Sequence, residues 1–187
     1  MKVEQMQNLA LSLLDEMDSQ LRVAGDRLAF VQLRVSAESF VRNECAIAIS
    51  RIVYELPYHV HMEKKVQGKI VDIIVVPVTE GKEDFKRAIQ FELKMAWPGA
   101  LQENASGVSK DLDALAGRDS AYAVALFFAF QKSPSWTPYK PSNIDFNRGL
   151  AQFIKEVDAG EPVFYGEPFL MISSEAVGRG QLVAWRA

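Results

Sequence analysis

The stretch AIQFELKMAW, residues 88–97, decides how the rest of the chain is read. Ile89, Phe91, Leu93 and Met95 alternate with Gln90, Glu92 and Lys94, the period of two that marks a β-strand. Such alternation is ordinary on a sheet with one wet face. The neighbouring segments, however, read as buried on both sides. A strand among them that directs a carboxylate and an ammonium from one face, two residues apart, calls for a reason.

Upstream, HVHMEKKV (59–66) reads as a strand, and GKIVDIIVVPV (68–78) as an almost continuously apolar one interrupted by Asp72. The charged segment TEGKEDFKRA is a turn long enough to make 68–78 and 89–97 antiparallel neighbours. Trp97-Pro98-Gly99 ends the third strand. Further upstream, residues 3–22 carry an amphipathic stripe of Met6, Leu9, Leu13, Leu14, Met17 and Leu21. VAGDRLAF breaks that helix, and a second one is expected from an N-cap at Ser36 to about Glu55, before Pro57.

Downstream, VSKDLDALA (108–116) predicts a helix, with Asp111 near its start where the helix dipole favours an acid. AYAVALFFAF (121–130) is a buried strand. A loop with Pro134, Trp136, Pro138, Tyr139 and Pro141 follows, then a helix near 145–158 and the strands FLMIS and QLVAW. The order predicts an α/β or α+β fold, a central mixed sheet flanked by helices. The expected layout is a single domain over 1–187, with a helical extension at 1–34, a core at 36–130 and a C-terminal loop, helix and strands at 131–187.

The composition sets bounds. The chain has 187 residues, 49% hydrophobic and 24% charged, a globular balance with room for one sizeable core. No apolar run reaches the length of a membrane span, and MKVEQMQNLA is not a secretory signal, so a cytoplasmic protein is expected. Cys45 is the sole cysteine, which rules out an intramolecular disulfide and a multi-Cys zinc site. A net charge of -3 and a pI of about 5.5 argue against a strong non-specific grip on nucleic acid, though not against a local basic patch.

Two oddities carry chemistry. Asp72 lies between Ile70, Val71, Ile73 and Ile74, where a lone carboxylate is costly unless paired, hydrogen-bonded or bound to a cation. Glu92 and Lys94 leave one strand face together. If the two strands pair, two carboxylates and an ammonium share one small volume. Such an oxygen-rich site suits Mg²⁺ or Mn²⁺, which lowers the pKa of a bound water and stabilises charge in phosphoryl transfer.

Asp72 followed by Glu92-Leu93-Lys94 resembles the D…(D/E)-x-K signature of the PD-(D/E)XK nuclease superfamily, the restriction-endonuclease-like fold. The surrounding order matches over roughly residues 36–130: a helix before the sheet, the Asp in the second core strand, E-x-K on the next, then a helix and a buried strand. Val71 stands where the strict motif has Pro. The resemblance implies that Asp72 and Glu92 ligate the metal, that the Leu93 carbonyl joins them, and that Lys94 serves near the attacking water. It also implies a carboxylate from the preceding helix. Glu44, inside the apolar arc of Phe40, Val41, Ala48 and Ile52, is the choice; Glu38 is the substitute and Glu63 a weaker third. Lys110 would contact a phosphate. The implied partner is nucleic acid, DNA favoured, with a homodimer expected only by analogy where both strands of a duplex are cut.

Each feature has a plainer reading. The Asp72–Glu92–Lys94 set is then an internal ion pair in a catalytically silent nuclease-fold protein that binds a partner or regulates. Glu44 reaches solvent, and Lys110 is merely solvated. His59 and His61 would make half a zinc site but read as ordinary strand or substrate-groove residues. Trp97, Trp136 and Tyr139 would stack on bases, but beside prolines they read as packing anchors. EGKED lacks the second glycine and the Ser/Thr of a phosphate-binding loop.

Overall fold

The computed structural model describes residues 3–32, 37–118, 120–132, 146–172 and 176–187. Among them, helices α1 (Val3–Val23), α2 (Gly25–Gln32) and α3 (Glu38–Val53) precede strands β1 (Tyr58–Val66), β2 (Lys69–Thr79), β3 (Lys82–Glu83) and β4 (Ile89–Ala96). Helix α4 (Leu101–Leu115), strand β5 (Ala121–Lys132), helix α5 (Phe146–Glu156) and strands β6 (Phe164–Tyr165), β7 (Phe169–Ile172) and β8 (Ala176–Arg186) complete the order. The eight strands form a mixed sheet with the path β1-β2-β4-β5-β8-β6; β3 adds to β2 and β7 to β8. The fold is mixed α/β, a central sheet flanked by helices.

The chain's period explains the two layers. On β4 and β5, Phe91, Leu93, Tyr122, Val124 and Leu126 face one side and pack with α1, α2 and α3. Ala96, Ala123, Ala125 and Phe127 face the other, against α4 and α5. The α1 stripe of Met6, Leu13, Leu14, Met17 and Leu21 is buried in the first layer. That helix is part of the core.

Three boundaries differ from the sequence reading. VAGDRLAF interrupts the helix only around Ala24; residues 25–32 are helical, because Leu28 and Ala29 face the core and α2 packs on β7. The approach is close enough that a Cβ on Gly25 would lie 2.5 Å from the Leu170 carbonyl oxygen, which demands glycine there. Helix α4 begins at Leu101, seven residues before the expected Val108, because Leu101 and Ala105 extend its buried stripe. Asp111 therefore sits well inside α4, away from its N-terminal turn. Ser36 lies outside the described residues; the N-cap position of α3 is Ala37, with no side-chain cap. Trp136, Tyr139 and the proline-rich loop also lie outside the described residues.

Two connections position the site. β2 and β4 pair antiparallel at Ile73–Phe91, Ile74–Gln90 and Val75–Ile89. β4 and β5 pair parallel, with α4 as the crossover. α3 lies over the sheet on one face and α4 on the other, both close to the end of the short β2–β4 ladder.

Candidate metal and phosphodiester site

The ladder between β2 and β4 stops at Ile73–Phe91. Continuing its register places Asp72 opposite Glu92, at the fork where the two strands part. In place of a further ladder bond, the Leu93 N–H donates to Asp72 Oδ2 at 2.8 Å. The N–H and C=O of one strand residue face the same neighbour, so the Leu93 carbonyl also points to the β2 side. Arg42 reaches the fork from α3 and donates to Asp72 Oδ1 at 2.9 Å. The same guanidinium lies 3.1 Å from Glu63 Oε1. On the other flank, the β1–β2 register sets Glu63 opposite Asp72, and the ladder skips that pair. Glu63 there has φ +50°, a left-handed backbone that costs a non-glycine residue about 1 kcal/mol.

Glu92 is buried, its side chain 8% exposed. Burial first, then the Asp72 charge, pushes its pKa up to about 7, against the counteracting pull of Lys69. Lys69, the first residue of β2, holds its Nζ 3.2 Å from Glu92 Oε1 and 3.5 Å from Asp111 Oδ1. Asp111 comes from α4, and its Oδ2 lies 3.4 Å from Lys94 Nζ. These contacts are ion pairs by distance but are poorly aligned for hydrogen bonds. Glu92 Oε1, Asp111 Oδ2 and Lys69 Nζ are all buried without a hydrogen-bond partner. Buried polar atoms are usually satisfied; here they meet one another and Lys94 only as ion pairs, so the two acids keep acceptor positions for a further cation.

Lys94 is 37% exposed on its side chain. Burial would lower its pKa, but the Asp111 carboxylate, with Glu38 and Asp72 behind it, outweighs that and raises it. Lys94 is thus held as a cation. Glu38 at the start of α3 belongs to the electrostatic neighbourhood of the fork. Around it, Glu38, Glu63, Asp72, Glu92 and Asp111 face Arg42, Lys69 and Lys94. Five carboxylates against three cations leave an excess of two negative charges when all ionise. Asp72, Glu92 and Asp111 offer hard oxygen donors. An ionised carboxylate has about four acceptor positions, and Asp72 uses two of them. The donor set therefore fits Mg²⁺ or Mn²⁺.

The structure brings Asp72, Glu92, Lys94 and the Leu93 backbone together. It takes Glu44 elsewhere. Glu44 is buried, as its place in the apolar arc of α3 suggests, but its carboxylate receives Gln20 Nε2 at 2.5 Å and Arg27 Nη1 at 3.2 Å. Those partners come from α1 and α2, so Glu44 ties helices together, and among the described residues none of its hydrogen bonds or ion pairs reaches the fork. Lys110 is exposed on α4 and makes none of the fork's contacts. Trp97 packs against Phe128 with ring centroids 5.9 Å apart, the packing anchor of the plainer reading. Lys69, Arg42 and Asp111 are the members that sequence reasoning missed.

A second polar group lies along β1. Glu83 Oε1 sits 2.7 Å from both His59 Nδ1 and His61 Nε2. Those hydrogen bonds hold the Glu83 carboxyl below the usual range. Beside it opens a cleft of about 330 Å³ lined in part by Lys64, Lys65 and Lys86. Among the described residues, no helix is long and apolar enough to cross a membrane. No protein-family model, curated protein or solved structure significantly matches this chain.

Proposed function

We propose that this chain is a Mg²⁺- or Mn²⁺-dependent nuclease that hydrolyses phosphodiester bonds in nucleic acid, DNA favoured. The observation that carries the reading is the gathering of Asp72, Glu92 and Asp111 at the β2–β4 fork, where Glu92 Oε1 and Asp111 Oδ2 are buried without a hydrogen bond. Asp72 and Glu92 would hold the ion with the Leu93 carbonyl, and Asp111, which shares Lys69 with Glu92, would add a carboxylate directly or through water. The ion would supply Lewis-acid stabilisation of the phosphate and a more acidic water.

The chain's own residues supply the rest. Lys94, held cationic by Asp111, orients the water and stabilises negative charge at phosphorus; its raised pKa makes it a poor general base. Arg42 fixes the Asp72 rotamer, and the Leu93 N–H fixes its second oxygen. Lys64, Lys65 and Lys86 give a local basic surface for a phosphate backbone despite the acidic pI.

The test is cleavage of supercoiled plasmid, single-stranded DNA and RNA with Mg²⁺ or Mn²⁺, comparing wild type with Glu92→Ala and Lys94→Ala. Loss of wild-type cleavage in both variants, with each variant still unfolding cooperatively, is the expected result. A wild type that cuts nothing and gains no thermal stability from either ion would turn the reading to its alternative. That alternative, a silent nuclease-fold module for binding or regulation, draws on one observation: Arg42 and Lys69 already pair with Asp72 and Glu92.

A further inference from the structure

We propose that His59, His61 and Glu83 form a second metal site, of a different chemical class, that takes Zn²⁺ and clips the edge strand β1 to the β2–β3 hairpin. The argument is independent of the phosphodiester site. Residues 59 and 61 are two apart on a strand, so both imidazoles leave one face. Their partners across the ladder are Val76 and Ile74, and Glu83 pairs with Val78. All of these side chains share one face of β2, and Glu83 reaches back along it to the two rings.

The three ligand atoms lie within 4.8 Å of one another. A carboxylate oxygen only accepts hydrogen bonds. Both ring nitrogens that meet Glu83 Oε1 therefore carry protons in this state, and those two protons stand where a cation would. With Zn–N and Zn–O bonds of about 2.0–2.1 Å, neighbouring tetrahedral ligand atoms are about 3.4 Å apart. Each 2.7 Å contact must open by about 0.7 Å, a small movement for side chains that are 57%, 27% and 26% exposed. The His61 ring is steadied by stacking on Phe85, with centroids 6.0 Å apart.

Two imidazoles and one carboxylate are a donor set for Zn²⁺ and its neighbours rather than for Mg²⁺, which prefers all-oxygen shells. Three protein ligands also leave a fourth position for water or an anion. Glu83 lines the cleft that carries Lys64, Lys65 and Lys86, so an anion bound there would meet lysines as well.

The test uses the whole, tag-free chain, stripped with chelator and titrated with Co²⁺ as a visible probe, then with Zn²⁺ as competitor. Expected is one Co²⁺ per chain with the absorption bands of a low-coordinate ion, which Zn²⁺ abolishes; a Co²⁺ on the oxygen site would lack those bands. Binding should weaken at least about tenfold in His61→Gln and in Glu83→Gln, since losing even a supporting partner costs that much. It should stay unchanged in Asp72→Asn, which reports on the oxygen site. Circular dichroism checks that each variant folds; His59→Gln serves if one does not. Binding weaker than about 100 µM in wild type overturns the site, as does binding that Asp72→Asn removes and His61→Gln spares.

Discussion

Asp72 receives the backbone N–H of Leu93 at 2.8 Å, at the point where β2 and β4 cease to pair. A side chain thus takes over from the ladder, and the strands open into a fork. The bond explains how a carboxylate is tolerated among Val71, Ile73 and Ile74. Its two oxygens are met by an amide and by Arg42, so its burial is offset by polar partners that leave further lone pairs available.

Replacing Asp72 should therefore affect stability as well as metal binding. Asp72→Ala strands the Leu93 N–H and removes one of the two acids that pair the largely buried Arg42 guanidinium, and should cost about 1–3 kcal/mol. Asp72→Asn keeps the shape and an acceptor oxygen, and should cost less. Both should abolish any rise in melting temperature with Mg²⁺ or Mn²⁺. Chemical denaturation with and without the ion measures both effects. An Asp72→Ala chain as stable as wild type would show that the fork does not depend on this bond.

Glu92 sets a pH signature. Its folded pKa, about 7, exceeds the ordinary 4.5, so the folded chain binds the proton more tightly than the unfolded one. Stability should then fall as pH rises from about 4.5 to about 7, by roughly 2–3 kcal/mol from this group, and level off above. Glu92→Gln cannot ionise and should lack that fall. The difference between the two chains' stability curves, measured without divalent ion, isolates the group. Parallel curves would mean that Lys69 compensates for the Glu92 charge.

Glu44 and Glu38 separate structure from activity. Glu44→Gln breaks its ion pair with Arg27 and disturbs the bond from Gln20, and should cost about 1–3 kcal/mol. Its cleavage rate per folded molecule should stay at the wild-type value. Glu38→Gln lies near Lys94 and should leave stability nearly unchanged while lowering cleavage. The reverse pattern would return Glu44 to the site.

How far the sequence discloses this arrangement can be judged residue by residue. Asp72, Glu92 and Lys94 are legible because strand period and element order are local patterns, and together they predict the pairing of β2 with β4. Glu44 is legible as an anomaly, but its partners Gln20 and Arg27 are brought in by the packing of α1 and α2, which no nearby residue signals. Asp111 is misplaced because Gln102, Glu103, Asn104 and Ser106 hide the sparse stripe of Leu101 and Ala105, which shifts the expected helix start. Lys69 and Arg42 look like ordinary surface cations until the fold brings them to the fork. Glu83 joins His59 and His61 only through the back-folded hairpin.

The pairing of Lys94 with Asp111 gives the sharpest test of mechanism. Lys94 is drawn down by burial and raised more strongly by Asp111, whose Oδ2 is 3.4 Å away. If its task is to orient water and stabilise charge as a cation, cleavage should persist through about pH 9 in wild type. Lys94→Gln should lose about 10²–10³ in rate, the usual effect of deleting one electrostatic stabiliser. In Asp111→Asn the largest raising charge is gone while burial remains, so the Lys94 pKa should drop. The alkaline loss of activity should then begin at lower pH than in wild type. Complete pH–rate profiles of the two chains, taken at saturating Mn²⁺, report this directly. An alkaline limb that stays in place after Asp111→Asn would show that Asp111 does not hold the Lys94 proton. A rate that rises with Lys94 deprotonation would make Lys94 the base after all.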